Sequence, residues 1–165
     1  ERITDRFSKI GSEAKLNELD IINTIEQNLI YLKARLSKKV EIDFNSIIDS
    51  SLPVHHNQSL MDWVIENLCK NAVDAMSGVG KLSIILSHEK QVIHIDITDT
   101  GKGIALNNQK AIFDPGYSTK KRGWGLGLAL VKRIICEHHK GKVFVLKSKI
   151  DSGTTIRISL PVRHS

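Results

Sequence analysis

With 165 residues, 41 % of them hydrophobic and 25 % charged, the chain is long enough to bury one sizeable core and has the composition of an ordinary globular domain. No apolar run approaches the roughly 20 residues of a membrane-spanning helix. The two cysteines, Cys69 and Cys136, lie inside apolar helical patterns and read as buried thiols, not as a disulfide or metal framework. The formal charge of +6 permits a polyanionic partner, but the basic residues are scattered and aromatics make up only 5 %, too few for a base-stacking platform, so no nucleic acid is expected. The chain opens on Glu1 and reads as a piece of something longer.

Residues 1–10, ERITDRFSKI, put Ile3, Phe7 and Ile10 on one face of an amphipathic piece too short to stand alone. GSEAKLNELD, 11–20, reads as a polar connector. The spacing of Ile21, Ile25, Leu29 and Leu32 predicts a helix from Asp20, a suitable N-cap, to about Leu36. VEIDF, 40–44, alternates as a strand does, and the chain around Pro53 is extended. A second helix is predicted from Ser59 to Met76, ended by GVG at 78–80. Two strands follow, KLSIILSH and VIHIDITD. Thr100 to Gly123 holds glycines, lysines and one proline without a sustained period; such long loops inside compact domains are usually functional lids or disordered. A glycine-led helix then runs to about His138, and strands at 142–148 and 154–160 flank a turn at DSG. Three helices interleaved with about five strands predict an α/β fold with one mixed sheet, covered by helices on one face.

Three features stand out against this pattern. In VIHIDITD, Ile93, Ile95 and Ile97 share a face, and alternation puts Asp99 on that same face. A carboxylate ending a buried face is costly unless paired. It is either a turn aspartate capping TGKG or a carboxylate on a pocket floor, beside which Gly101 and Gly103 let the backbone approach a ligand. On the second helix the apolar stripe is Leu60, Val64, Leu68, Ala72 and Met76, while Asn67 and Asn71 lie four apart on another face. Asparagine is a poor helix former. The pair is a surface accident or two amides aimed at a cavity, where an amide oxygen suits Mg²⁺. Finally, Gly123, Gly125 and Gly127 stand where a loop becomes a helix, so unpaired amides without Cβ atoms can meet phosphate oxygens. The glycine pattern is neither a P-loop nor a Rossmann turn.

ENLCKNAVDAM, DTGKGI, IFDPGYSTK and GWGLGLALVKRI, in this order, resemble the N box, first glycine box, F box and second glycine box of sensor histidine kinase catalytic domains. Those domains belong to the gyrase-type ATPase superfamily. SGTTIRISLP resembles the family's closing strands, and the likeness spans residues 18–161. It implies the superfamily's two-layer sandwich, a mostly antiparallel sheet with a long ATP lid (a Bergerat-type fold). It also implies ATP and Mg²⁺ as ligands. Asp99 would accept from the adenine amine, with Gly101, Gly103 and Ile104 beside the base. Asn71 would bind Mg²⁺ with Asn67 near the phosphates, the pair forming the catalytic residues. Phe113, Tyr117 and Lys120 would belong to the mobile lid, and Gly123, Gly125, Leu126, Gly127 and Leu128 would close on the phosphates. Many members carry a lysine where this chain has Asp74, so Lys70, Lys120 or Lys121 would serve instead. NAVDAM is similar to the nitrogen-regulation class, and Trp124 stands where a small polar residue is common.

Residues 1–17 resemble the tail of the helical dimerisation domain that carries the phosphoacceptor histidine, leaving 18–165 as the catalytic domain. The family's acceptor is a histidine followed by an acidic residue and, shortly after, a proline. Of His55, His56, His88, His94, His138, His139 and His164, only His88 and His138 come near that pattern, and neither has the proline. The implied function is transfer of the γ-phosphate to a histidine on an upstream domain, and from there to a response regulator receiver domain. The full protein would be a homodimer, cytoplasmic or the cytoplasmic part of an inner-membrane sensor. The rival readings are a gyrase or MutL-type clamp ATPase, which resembles a version with Glu at the Asn67 position, and a degenerate nucleotide-binding scaffold.

Overall fold

The computed structural model describes residues 15–48, 53–117 and 127–162. Its elements in chain order are β1 (Asn17–Asp20), α1 (Ile21–Lys33), β2 (Val40–Ser46), β3 (Pro53–His56), α2 (Gln58–Ala75), β4 (Gly80–Glu89), β5 (Val92–Asp99), α3 (Gly127–Arg133), β6 (Lys142–Lys149) and β7 (Gly153–Pro161). Short 3-10 turns at Leu106–Asn108 and Ala111–Phe113 follow β5, and a π-turn at Ile134–His138 follows α3. The main sheet has the order β2-β4-β5-β7-β6; only β2 and β4 run parallel, and the other pairs are antiparallel. The expected mixed, mostly antiparallel five-stranded sheet is present. Beside it β1 and β3 form a separate antiparallel ribbon.

Alternation builds the core. Leu82, Ile84 and Leu86 of β4 and Ile93, Ile95 and Ile97 of β5 are buried on the face that meets the helices. The register sets Leu86, Ile95, Ile158 and Val143 in one row across four strands. Burying one such aliphatic side chain contributes about 1.5–3 kcal/mol. The opposite face is stitched by cross-strand polar pairs. Arg157 donates twice to Asp96, at 2.7 and 2.8 Å; the Thr98 and Thr155 hydroxyls pair at 2.8 Å; His94 Nδ1 lies 2.7 Å from Ser159 Oγ.

The helices follow their stripes. Ile21, Ile25, Leu29 and Leu32 of α1 are buried, and Asp20 caps it by accepting from the Ile22 and Asn23 amides. On α2 the buried set widens from the expected Leu60, Val64, Leu68, Ala72 and Met76 to include Met61, Ile65, Cys69 and Val73. Burial pushes the Cys69 thiol up to about 12, so it stays an inert apolar side chain. Helix α2 ends as Ser77 and Gly78 turn left-handed (φ 54° and 78°), and the Gly78 amide folds back onto the Val73 carbonyl.

Three expectations need correction. The last four residues of the supposed connector 11–20 are β1, a strand without apolar alternation that is held by its pairing with β3. The stretch from Thr100 onward has structure as far as Tyr117: Ile112 and Phe113 are buried, and their 3-10 turn packs on α3. The glycine-led helix does not stay α-helical to His138. The His139 backbone N–H and ring Nδ1 both donate to the Ile134 carbonyl, at 3.1 and 2.9 Å, which widens the last turn to a π-turn.

His139 is 1 % exposed, and burial lowers its pKa from 6.5 to about 4. Between those values the unfolded chain binds a proton that the folded chain refuses, so stability falls as the pH drops through that window. On going from about pH 7.5 to about pH 4.5, the wild-type unfolding free energy should fall by on the order of 2–3 kcal/mol more than that of His139→Gln. Denaturant titrations at both pH values check this. Parallel losses in the two proteins would show that His139 does not titrate as described.

Candidate functional site

Asp99 is the last residue of β5 and stands in the core register, between Leu82 of β4 and Thr154 of β7. It is 8 % exposed. Its Oδ1 accepts from the Gly101 amide at 2.8 Å. Burial raises the carboxyl pKa, and the Gly101 and Thr154 amides pull it partly back. The turn reading therefore holds, since Asp99 closes an aspartate turn, and the carboxylate is buried where the sheet face ends.

The turn that follows is locked to its neighbours. The Lys102 amide donates to the Ala75 carbonyl at 3.0 Å, and a Cβ on Gly101 would lie 2.5 Å from that oxygen. Gly103 has φ 76°, and a Cβ there would lie 2.1 Å from the Lys149 carbonyl oxygen. Both glycines thus have a packing reason within the protein. The Ile104 amide donates to Ser148 Oγ at 2.7 Å, and Ser148 in turn donates to the Gly153 carbonyl. Nothing in the sequence marked Ser148, because it stands between two lysines at the polar end of a largely exposed strand.

Asn67, Asn71 and Ala75 form one stripe on α2, four residues apart and half-buried. Asn71 Nδ2 donates to Asn67 Oδ1 at 3.2 Å. That bond uses the oxygen of Asn67 and an N–H of Asn71, so it does not consume the amide oxygen of Asn71. Gly127, the first described residue of α3, lies against Asn67: a Cβ on it would come within 3.1 Å of Nδ2 and 3.2 Å of Oδ1. Gly101 thus abuts one end of the stripe and Gly127 the other, about 12 Å apart along the helix at its usual rise. The aspartate turn after β5, the amide pair and the glycine-led helix, distant in sequence, meet along one face of α2.

Phe113 is 5 % exposed and belongs to the core, so it anchors its segment. Ile104, Tyr117 and Leu128 are partly buried against that core. Lys70, a candidate phosphate ligand, is exposed and 3.0 Å from Glu66; Asp74 is exposed as well. Lys120, Lys121, Gly123, Trp124, Gly125 and Leu126 lie outside the described residues, as do residues 1–14 of the expected tail. Among the described residues no helix is long and apolar enough to cross a membrane.

Comparison with known proteins bears on the same elements. Residues 56–164, from β3 past the end of β7, match the family described as histidine kinase-, DNA gyrase B-, and HSP90-like ATPase. The chain is 37 % identical over 145 residues to the signal transduction histidine-protein kinase AtoS of Escherichia coli (strain K12), covering 86 % of this chain and 23 % of AtoS. It is 34 % identical over 168 residues to the sensor histidine kinase ZraS of that strain, covering 96 % of this chain and 36 % of ZraS. It therefore spans about a third or less of the length of these curated relatives. Among solved structures it resembles the catalytic domain of histidine kinase ThkA, with a TM-score of 0.80, 23 % identity, and coverage of 90 % of this chain and 96 % of that one. ThkA has also been solved in complex with the response regulator protein TrrA; that likeness has a TM-score of 0.77 and 21 % identity, and covers 90 % of this chain and 42 % of that one. The fold agrees with these catalytic domains, the family match covers well over half the residues, and the chain belongs to the histidine kinase-, DNA gyrase B- and HSP90-like ATPases.

Proposed function

We propose that this chain is the ATP-binding catalytic domain of a two-component sensor histidine kinase. In this reading it donates the γ-phosphate of ATP to a histidine on a separate dimerisation domain, and a response regulator receives it next. The observation that carries the reading is the buried carboxylate of Asp99 at one end of the amide stripe, with Gly127 at the other. Asp99 is a charge-assisted acceptor in an apolar wall, suited to the exocyclic amine of adenine. The phosphates would then lie toward Asn67 and Gly127. Asn71 is the residue to hold Mg²⁺, since it lies on the stripe beside Asn67 and an amide oxygen is a neutral hard ligand. When bound, the ion would offset the negative charge of the phosphates.

The acceptor preference follows from Asn67. An amide takes no proton, so Asn67 is no general base for water, and this disfavours a hydrolytic clamp ATPase. Transfer needs an acceptor held in line. None of the described histidines stands in an acceptor-like helical context: His55 and His56 lie in β3, His88 in β4, His94 in β5, His138 in the π-turn after α3, and His139 is buried directly behind it. The acceptor histidine, the homodimer and a cytoplasmic setting belong to the larger protein in this reading.

Three measurements test it. Asp99→Asn should weaken ATP binding about 10- to 100-fold, from loss of a bond to a charged group. Calorimetry showing wild-type affinity in the folded variant would remove Asp99 from the site. Asn71→Ala should weaken nucleotide binding chiefly when Mg²⁺ is present; equal losses with Mg²⁺ and with a chelator would end its role as a metal ligand. Incubated with labelled ATP, the 165-residue chain alone should stay unlabelled with turnover near background, while adding a helical dimerisation domain should give acid-labile label on that domain's histidine. Label on a histidine of this chain alone would overturn the donor-only reading.

A further inference from the structure

The nucleotide reading uses Asn67 and Gly127, where α2 and α3 meet. Further along the same two segments lies a polar junction, built on the buried His139 and the half-buried Asn57, that it does not use. Asn57 stands between β3 and α2. Its Oδ1 caps α2 by accepting from the Leu60 amide at 3.0 Å, its Nδ2 donates to the Lys15 carbonyl at 3.0 Å, and its backbone N–H donates to Nε2 of His139 at 3.0 Å. His139 follows the π-turn after α3, and its Nδ1 donates to the Ile134 carbonyl at 2.9 Å. These partners leave one protonation state. An amide N–H cannot accept and a carbonyl cannot donate, so Nε2 carries the lone pair and Nδ1 the proton. A protonated ring would set N–H against N–H in a buried place, and burial holds the imidazole neutral accordingly.

The bond joins residues 82 apart in sequence, on the two segments that form the site. It lies about 15 Å along α2 from Asn67 at the usual helical rise. Resting on the nucleotide-site reading above, we propose that Asn57 and His139 are positioning residues. Their amide–imidazole bond sets how far α3 slides along α2. It thereby sets the distance of Gly127 from Asn67 and Asn71, on which phosphate and ion binding depend. A buried histidine that merely filled space would need no bond across two elements. This one is directional, fixed in tautomer and satisfied at both ring nitrogens. Small slips in such placement carry large penalties in positioned chemistry.

Two substitutions at one position separate positioning from packing. His139→Asn puts an amide near the Nδ1 position, keeps a donor for Ile134 and falls short of Asn57. His139→Gln reaches the Nε2 position, where its amide oxygen accepts from the Asn57 N–H. At about pH 7.5, with Mg²⁺ and a non-hydrolysable ATP analogue, calorimetry on the 165-residue chain should show about tenfold weaker binding for His139→Asn. His139→Gln should stay within about twofold of wild type, since it restores the lost bond. Circular dichroism and cooperative melting should show both variants folded. Equal affinity of His139→Asn and wild type, or equal losses in the two variants, would overturn the brace. Nitrogen NMR of the His139 ring in the nucleotide-free chain should show the Nδ1–H tautomer, and the other tautomer would overturn it whether or not nucleotide binds. A wild-type chain that binds no analogue overturns the nucleotide reading and the role of the brace with it. A wild-type chain that binds while His139→Asn binds equally well overturns the brace alone.

Discussion

Helix α2 buries Leu60, Val64, Leu68 and Ala72 against the sheet, and with 3.6 residues to the turn it must carry Asn67 and Asn71 along the edge of that contact. The rest of the site is placed relative to this helix. Its last turn receives the Lys102 amide at the Ala75 carbonyl, which fixes the aspartate turn after β5. Two turns earlier, Gly127 of α3 rests on Asn67. Its first turn is capped by Asn57, which also takes His139 and Lys15. A shift of α2 would disturb all three junctions together, because each is a hydrogen bond or a close glycine contact.

The buried carboxylate shows how stability and function are divided. The register places Asp99 between Leu82 and Thr154, on the face of its strand that Ile93, Ile95 and Ile97 share. A leucine there would fill the core. An aspartate instead loses hydration, and its raised pKa records that loss even with the Gly101 and Thr154 amides helping. The open sheet face treats charge differently. There Asp96 is matched by a bidentate arginine, so both carboxylate oxygens are satisfied within the protein. Asp96 is thus completed within the protein by a cation, whereas Asp99 stands at the end of the core with the Gly101 and Thr154 amides easing its charge.

The glycines separate in the same way. Gly103 is required by its left-handed φ and by the Lys149 carbonyl, and Gly101 by the Ala75 carbonyl. The first glycine box is thus first a packing device that brings the hairpin of β6 and β7, the aspartate turn and the end of α2 together. Gly127 differs, because what it faces is a polar amide of the stripe. The histidines of the chain also sort by partner: His56 and His139 are neutral and bonded on both ring nitrogens in the interior, with burial lowering both pKa values.

What the sequence determined by itself was local and periodic. Ile21, Ile25, Leu29 and Leu32 announced α1 at 3.6-residue spacing, and Ile93, Ile95 and Ile97 announced β5 at spacing two. Asp99 was legible because it broke that second pattern, and Asn67 with Asn71 because they are poor helix formers set four apart within a predicted helix. These signals need only the chain's own geometry. Strand β1 was illegible because NELD alternates nothing apolar, and only the backbone of β3 makes it a strand. The π-turn was illegible because its cause, the His139 side chain on the Ile134 carbonyl, is a specific bond and not a period. The meeting of Ala75 with Gly101, of Asn67 with Gly127 and of Asn57 with His139 was decided by the tertiary structure alone. Each joins residues more than twenty positions apart, and no one-dimensional pattern encodes which of two distant surfaces will touch when both are buried on the same sheet.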